Sequence, residues 1–362
     1  MMCNSFTCLQ GPRLRALAAV CIMVLGSACA GGSDNVGPTA QNPLPIDSTA
    51  TIDTTSQAGC PVDSTTTPPD SNATLPTDST SQSSSVTAID GRSQLPGIVF
   101  ASDNIPTNLL NNVNNGSKRG GGIDQSNVLS LLSDARAHGA RIILKMSKGA
   151  DDYIQNSDGT FSFTKWKALV DRFKSVNLGP YISDGTLMGH FLIDEPHRAS
   201  KWGGKVIPQA TVEAMAKYSK DIWPSLNTFV HTQMSWLANT SVSYVNLDAG
   251  WTQYAANKGA VNSWITGEIS NARSKGLGLF VGMNALNGGN GSSGIRGTSS
   301  GNYSMSATEL KNYGTVILNQ SYACGFIVWA YNSNYYGRSD IKSALSNLSS
   351  MARSHVKTAC RQ

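Results

Sequence analysis

Two carboxylates stand directly after an apolar run near the middle of the chain. The run Phe191–Ile193 has the length and composition of a buried strand, and it stops at Asp194 and Glu195. Pro196 ends this strand because it has no N–H to donate to a ladder. A carboxyl group delivered by a buried strand can act as a general acid or base, and neighbouring strand residues point to opposite faces. We therefore predict that Glu195 faces a cleft, while Asp194 turns to bond the backbone, a Lys or an Arg.

Asp248 is the predicted second carboxylate. It follows the apolar run Ser243–Leu247, for which the composition predicts another strand. Hydrolysis of a glycosidic bond, for example, needs one carboxylic acid to protonate the leaving oxygen and a second carboxylate as nucleophile or base, and two strand ends can supply such a pair to one cleft. The sequence thus predicts a catalytic pair of Glu195 and Asp248. A solvated strand-end carboxylate is the alternative for Glu195, and a loop or cap carboxylate is the alternative for Asp248.

The elements that position these groups alternate between strands and helices from residue 95 onward. This alternation indicates βα units and a parallel sheet, and a stretch of about 270 residues suits one (β/α)8 barrel. We predict an irregular TIM-like barrel over residues 93–362, with an eighth strand hidden in 104–122 or 151–162. An open doubly wound sheet is the runner-up, although the first βα turn lacks a glycine-rich phosphate fingerprint. The seven predicted strands are Ile98–Ala101, Arg141–Met146, His190–Ile193, Thr228–Gln233, Ser243–Leu247, Leu279–Asn284 and Gly325–Ala330.

Helices are predicted between most of these strands. One is capped by Asp124 and stopped by Gly139, a second opens at Thr164, and a third runs over Gln209–Ile222 to Pro224. Three more are predicted over 260–275, 306–319 and 340–354.

Polar and aromatic residues finish nearly every predicted strand, as at the C-terminal rim of a barrel enzyme. The Gly/Ser/Asn-rich loop 287–302 follows one of these strands and is a candidate lid. Aromatic faces pack against the apolar faces of sugar rings, although they also fill cores. The predicted substrate-binding residues are Asp194, Lys145, Gln233, Trp236, Trp251, Asn284, Trp329 and Tyr331.

The run from Phe191 to Pro196 resembles the strand ends of (β/α)8 glycoside hydrolases, in which Asn-Glu-Pro or Asp-Glu-Pro carries the acid/base glutamate. Trp329 resembles the tryptophan that those enzymes place on the last strand beneath the sugar. The resemblance implies a hydrolase of O-glycosyl bonds in a polysaccharide or oligosaccharide, with Glu195 as proton donor and Trp329 as a platform. Two features depart from the pattern. The later glutamates (Glu213, Glu268 and Glu309) all fall in predicted helices, and the motif ends the third predicted strand instead of the fourth.

Two other functions stay open. The missing second glutamate suits a non-catalytic carbohydrate-binding barrel. A metal-dependent hydrolase would need imidazole and carboxylate ligands at strand ends. No tight His spacing supports that site, so neither a metal nor another cofactor is expected. The candidate ligands would be His190, Asp194, His197, His231 and Asp248.

The first 92 residues differ from the rest in composition. Residues 1–29 contain Arg13, Arg15, an apolar core and a small-residue site before Cys29, and they resemble a bacterial lipoprotein signal with Cys29 as the acylated residue. Residues 30–92 are rich in Ser, Thr, Pro and Asp and are expected to be a disordered linker. We expect an exported protein, lipid-anchored to the cell envelope or secreted.

Charge and cysteine usage fit this expectation. Without the seven Asp of the linker region and Arg13 and Arg15, residues 91–362 keep a net charge of +10, spread without the Lys/Arg blocks of nucleic-acid binders. A monomer with a carbohydrate partner and no nucleic-acid partner is expected. Cys324 and Cys360 are predicted to form a disulfide outside the cytoplasm, which leaves Cys60 as an odd thiol. No Cys/His spacing fits a structural zinc site.

Overall fold

A computed structural model describes residues 96–356 and residue 360 of the chain. The signal peptide and lipidation site predicted within residues 1–29, and the linker predicted over 30–92, lie outside the described residues. So does Cys60. The described part forms a closed barrel of parallel strands, in the order β1 to β8, with β8 paired to β1. The predicted (β/α)8 architecture is therefore confirmed, and the open doubly wound sheet is wrong.

Eight strands close the barrel, and the strand that was hidden in residues 104–122 is the second. Its sequence, Gly-Ser-Lys-Arg, has no large apolar side chain, so hydrophobicity gives no sign of it. With this strand counted, the Asp-Glu-Pro motif ends the fourth strand, and that departure from the glycoside hydrolase pattern disappears. The strands are Val99–Asp103 (β1), Gly116–Arg119 (β2), Arg141–Leu144 (β3), Leu187–Asp194 (β4), Asn227–His231 (β5), Ala249–Trp251 (β6), Gly278–Asn284 (β7) and Ala323–Trp329 (β8).

The sixth strand is displaced from its prediction. Tyr244 and Leu247 are buried, but they lie in an irregular segment, and the strand begins only at Ala249. Gly250, in its centre, packs so closely on the helical segment Met234–Ala238 that a Cβ there would lie 2.2 Å from Met234 Sδ. A small residue is thus required where a sequence pattern would favour a branched one. As a result, Asp248 precedes its strand instead of following it.

The long helices match their predictions closely. The third predicted helix is found as Gln209–Ile222, and Ser306 forms a capping box with Glu309 at the start of the helix predicted over 306–319. Short helical turns that were not predicted fill the loops. Glu213, Glu268 and Glu309 are helical, as expected. The helices are Val128–Ala137 (α1), Phe163–Asp171 (α2), Gly179–Ser183 (α3), Gln209–Ile222 (α4), Met234–Ala238 (α5), Val261–Ser274 (α6), Ala307–Leu318 (α7), Ser333–Gly337 (α8) and Ser339–Ser354 (α9).

The apolar side chains form two layers. The larger one packs the helices on the outside of the barrel. The smaller one fills the barrel interior, so the barrel has a packed core and no pore. Its members are Val99, Ala101, Ile143, Phe191, Phe229, Ala249, Trp251, Phe280, Cys324, Ile327 and Cys360.

The predicted disulfide is present between Cys324 of β8 and Cys360, with a Cα–Cα distance of 5.1 Å. Cys360 belongs to the interior layer and sits beside the first residue of β7, where a Cβ on Gly278 would clash with the Cys360 carbonyl oxygen. The disulfide therefore fixes Cys360 at the N-terminal ends of the strands. Among the described residues, no helix combines the length and the apolar character needed to cross a bilayer.

Candidate active site

A cleft of about 810 Å³ opens at the C-terminal ends of the strands. This volume lies in the range of small-molecule sites, and most of its lining side chains are polar. Side chains from seven strand ends and from the loops that follow them form its walls. They include Asp103, Lys118, Asp194, Glu195, His197, Arg198, His231, Gln233, Trp251, Gln253, Lys258, Asn284, Asn287, Asn302 and Trp329.

The strand register explains why residues far apart in sequence meet here. Residues paired across adjacent parallel strands share a level of the barrel and, on the inward face, a direction. Three such pairs line the cleft: Asp103 with Lys118, Asp194 with His231, and Asn284 with Trp329.

A β-bulge in β4 turns Asp194 towards the cleft. The pairing of β4 with β5 shifts register between Phe191 and Ile193, so Leu192 and Ile193 both contribute to the outer core. Phe191 faces the barrel interior, and the next inward residue is Asp194 instead of Ile193. The prediction that Asp194 turns away from the cleft is therefore wrong, because it assumed strict alternation along the strand. Its predicted pairing with a lysine is found.

Asp194 belongs to a charged cluster on the cleft wall. Its Oδ1 lies 2.6 Å from His231 Nδ1, and its Oδ2 contacts Lys201 Nζ. Burial alone would raise the pKa of Asp194. His231, through its charge and its hydrogen bond, together with Lys201 and Lys118, instead holds that pKa well below its usual range. Asp194 is thus an ionised carboxylate at neutral pH.

Glu195 lines the same cleft from the turn that follows β4. Its backbone is left-handed (φ 48°), a conformation that is costly for a residue with a Cβ. Hydrogen bonds hold this turn, because Glu195 N donates to His231 O (2.8 Å) and Trp202 Nε1 donates to Glu195 O (3.1 Å). The carboxylate is 24% exposed, with Oε2 2.7 Å from Arg198 Nη1 and 3.8 Å from Lys201 Nζ. Asp194 and Glu195 therefore share the Lys201 ammonium group.

Asp103 adds a third carboxylate, at the end of β1. Its Oδ1 lies 3.0 Å from Lys118 Nζ, which sits 4.7 Å from the ring centroid of Phe191. Lys118 is therefore held over the packed interior of the barrel, where it forms part of the floor of the cleft.

Asp248 is not in this cleft, so its predicted catalytic role is wrong. It precedes β6 and lies at the N-terminal ends of the strands, where its side chain is 3% exposed. Its Oδ2 accepts a hydrogen bond from Thr228 N (2.8 Å) and lies 2.7 Å from Lys220 Nζ. The reason is that β6 begins after Asp248. A carboxylate at the end of β6 would instead lie at the mouth of the barrel, the C-terminal ends of the strands, where the cleft opens.

Two of the predicted aromatic residues, Trp251 and Trp329, line the cleft. Trp329 is half-buried and offers more free surface than Trp251, which is 2% exposed and packs in a tilted arrangement against His231, with 4.3 Å between ring centroids. Trp236 does not line the cleft and packs beside His197. Tyr331 lies outside it, against Tyr336.

The remaining predicted binding residues divide in the same way. Gln233 and Asn284 line the cleft, together with loop residues Asn287 and Asn302. Lys145 does not. It lines a smaller neighbouring pocket, where its Nζ lies 2.6 Å from Asp151 Oδ1.

The five residues considered as metal ligands are not assembled. His190 points into the outer layer, where it stacks on Trp166 and its Nδ1 lies 2.9 Å from Ser219 Oγ. His197 lines the cleft, but its Nδ1 lies 2.8 Å from Thr232 Oγ1. Within the described ranges, no three His, Cys, Asp or Glu side chains are grouped so that they could hold a metal ion.

Sequence reasoning missed four charged cleft residues, Asp103, Lys118, Arg198 and Lys258, and also Lys201, which contacts Asp194 without lining the cleft. Asp103 had a signal, because it ends an apolar strand as Asp194 does. Lys118 had none, since its strand contains no apolar run. Arg198 and Lys201 follow the Asp-Glu-Pro motif, and their spacing of three and six residues from Glu195 suits a tight turn back onto the carboxylates.

No protein-family model matches the chain, and no curated protein matches its sequence. Solved structures with a similar backbone include an intracellular xylanase from Thermoanaerobacterium saccharolyticum, 12% identical over 66% of this chain and 87% of that chain, with a TM-score of 0.45. A β-1,4-mannanase of glycoside hydrolase family 113 is 11% identical over 72% of this chain and 99% of that chain (TM-score 0.48). A family 2 β-galacturonidase from Eisenbergiella tayi is 9% identical over 73% of this chain and 52% of that chain (TM-score 0.48). At these identities and TM-scores, the function of this chain has to be argued from its own residues.

Proposed function

We propose that the protein is a glycoside hydrolase, with Glu195 as the general acid/base and Asp194 as the second carboxylate. The observation that carries the proposal is the position of Asp194 and Glu195 side by side on one polar cleft at the barrel mouth, which Trp329 also lines. Asp194 takes the role of second carboxylate that was predicted for Asp248, because Asp248 lies at the other end of the barrel.

The two carboxylates suit different roles. Asp194 is held ionised by His231 and Lys201, so it can stabilise the positive charge that develops on the sugar ring, or attack it. Glu195 lines the same cleft from the turn that follows β4 and can donate a proton to the leaving oxygen. Trp329 offers a face for the sugar ring, and the amides of Gln233 and Asn284 offer hydrogen bonds to hydroxyl groups.

The expected export of the chain belongs to this proposal. A cleavable signal in residues 1–29 and a lipid on Cys29 would hold the barrel outside the cytoplasm, where polymeric glycans are met.

The test is the release of reducing ends from a panel of neutral and acidic polysaccharides, with Glu195→Gln compared to the wild-type protein. We expect wild-type activity on at least one glycan and a loss of about 10²–10⁴-fold in the variant, because the proton donor is removed. Asp221→Asn, on the exposed face of α4 beside Lys217, is the matched control and should keep full activity. A Glu195→Gln protein with wild-type kcat would contradict the assignment.

A non-catalytic carbohydrate-binding barrel is the second candidate. It is favoured by the pairing of all three cleft carboxylates with cations, namely Asp103 with Lys118, Asp194 with Lys201 and Glu195 with Arg198. It is also favoured by Asn284 at the end of β7, where a second glutamate is absent. Binding to glycans on an array, with no product after long incubation, would support this candidate against hydrolysis.

A further inference from the structure

A second pocket, of about 400 Å³, lies beside the cleft and shares Lys118 with it. It is built by the segments that follow β2 and β3, and it is lined by Lys118, Arg119 and Lys145 together with Asn104 and three glycines. Three cations and no carboxylate line this pocket. The carboxylate partners of the two lysines, Asp103 and Asp151, are not among its lining residues.

Glycines bring the two segments together and leave backbone exposed. A Cβ on Gly149 would lie 2.8 Å from Gly121 Cα, and a Cβ on Gly120 would lie 2.9 Å from Lys145 Cβ, so neither position tolerates a side chain without a shift. A Cβ on Gly121 would meet nothing within 4 Å. A ligand can therefore approach the backbone at Gly121 closely, as it does in glycine-rich anion sites.

Donor groups remain for a ligand in this pocket. Arg119 donates from Nη1 to Ile105 O (3.0 Å), while its Nε is buried and has no hydrogen-bond partner among the described residues. Lys145 Nζ donates to Gly149 O (2.9 Å) and to Asp151 Oδ1 (2.6 Å), which uses two of its three protons. An anionic oxygen is the partner that such donors favour, and a guanidinium matches a carboxylate or sulfate through its planar fork.

We propose that this pocket is a subsite for the anionic group of an acidic sugar, a carboxylate or a sulfate ester, next to the cleft. The proposal rests on the proposed function, since it names the substrate class of that cleft. Lys118, which lines both cavities, would lie between the sugar in the cleft and the anionic group in the pocket. The net charge of +10 on residues 91–362 favours the approach of such a polyanion.

Calorimetric titration of the full chain at low salt tests the proposal without relying on catalysis. The probes are D-glucuronate and D-glucose 6-sulfate, with D-glucose as the neutral control. We expect at least one anionic sugar to bind about tenfold more tightly than D-glucose and to weaken as NaCl is raised. The tighter of the two probes identifies the carboxylate or the sulfate ester as the group that is bound.

Variants locate the binding. Lys145→Met and Arg119→Met should each weaken the anionic sugar about tenfold and leave D-glucose unchanged. Lys217→Met, an exposed lysine on α4, should leave both unchanged. Thermal unfolding checks that each variant is folded. If Arg119→Met does not fold, the test rests on Lys145→Met. Equal binding of charged and neutral sugars, or wild-type affinity in a folded Lys145→Met protein, would overturn the proposal.

The outcome is separable from that of hydrolysis. Calorimetric titration measures binding and needs no turnover, so its result does not depend on Glu195 acting as a proton donor. Anion binding without product from any glycan would leave the subsite standing and remove the hydrolase. Hydrolysis of neutral glycans with no preference for anionic sugars would do the reverse.

Discussion

Asp194 and Asp248 lie at opposite ends of the same barrel, and each contacts a lysine. Asp194 ends β4 at the mouth, its side chain is 30% exposed, and its partners are His231 and Lys201. Asp248 precedes β6 at the other end, its side chain is 3% exposed, and it pairs with Lys220 of α4. One carboxylate can meet a substrate, whereas the other is enclosed by its own partners.

The difference follows from strand direction. Every strand of the barrel runs the same way, so a residue after a strand reaches the mouth and a residue before a strand reaches the opposite end. A shift of a few residues in a strand boundary therefore moves an aspartate from one end of the molecule to the other. The two aspartates should accordingly affect different quantities when they are changed.

Asp194→Asn should have the largest effect on activity. It keeps the shape of the side chain but removes the charge that faces the cleft, so we expect glycan hydrolysis to fall by about 10²–10⁴-fold. The free energy of unfolding should fall by less than in a variant that breaks a fully buried ion pair, because the Asp194 side chain is 30% exposed and Lys201 keeps Asp151 as a partner. Reducing-end assays and urea unfolding measure the two quantities on the same protein. Full activity in a folded Asp194→Asn protein would show that the mouth carboxylate is not the second catalytic group.

Asp248→Asn should show the opposite pattern. Removing one partner of a buried ion pair leaves Lys220 uncompensated and costs about 3 kcal/mol of unfolding free energy. Thr228 N keeps an oxygen to donate to, so the strand contact itself survives. The kcat of the folded fraction should stay at the wild-type value. Asp221→Asn, exposed on the same helix as Lys220, is the control and should shift stability by no more than about 0.5 kcal/mol. A stable but inactive Asp248→Asn protein would break the comparison between the two ends.

The sequence predicted the barrel because local patterns of apolar residues identify most of its strands and helices. Buried strands such as β7 are continuous apolar runs, and a helix such as α4 has its apolar stripe and a following proline. β2 was missed because the barrel interior at that level holds Lys118, a charged residue stabilised by Asp103 and by aromatic rings. Tertiary context, which no local pattern contains, makes that strand.

The candidate site was predicted in part for the same reason. Glu195 was found at the mouth because the proline after it fixes the end of its strand. Asp194 was assigned to the wrong face, because the bulge before it is set by pairing with β5 and leaves no local mark in the sequence. Asp248 was misplaced because β6 has only three residues, one of them a glycine required by the contact with Met234. Periodicity gives the type of an element well, but register and strand ends depend on the neighbouring strands.

A pair of histidines extends the comparison to pH, with a smaller expected effect. His231 faces the cleft beside Asp194, whereas His190, in β4, is enclosed between Trp166 and Ser219 in the outer layer. Burial lowers the pKa of His190 to about 3, from an ordinary value of 6.5, so the ring is neutral in the folded protein. The unfolded chain takes up a proton on this residue below pH 6.5 and the folded chain does not. The contribution of His190 to stability is therefore fully present above pH 6.5 and is lost as the pH falls towards 3.

His190→Phe separates this contribution from the others. The variant keeps an aromatic ring beside Trp166 and leaves Ser219 Oγ without its partner, a cost that does not depend on pH. Between pH 6 and pH 4.5, where Asp194 is still ionised in the folded protein, the wild-type free energy of unfolding should fall more steeply than that of the variant, by about 1.4 kcal/mol per pH unit at most. Urea unfolding across this range measures both slopes. Equal slopes for the two proteins would mean that His190 takes up a proton in the folded state. Its ring would then be accessible to water, against its burial in the structure.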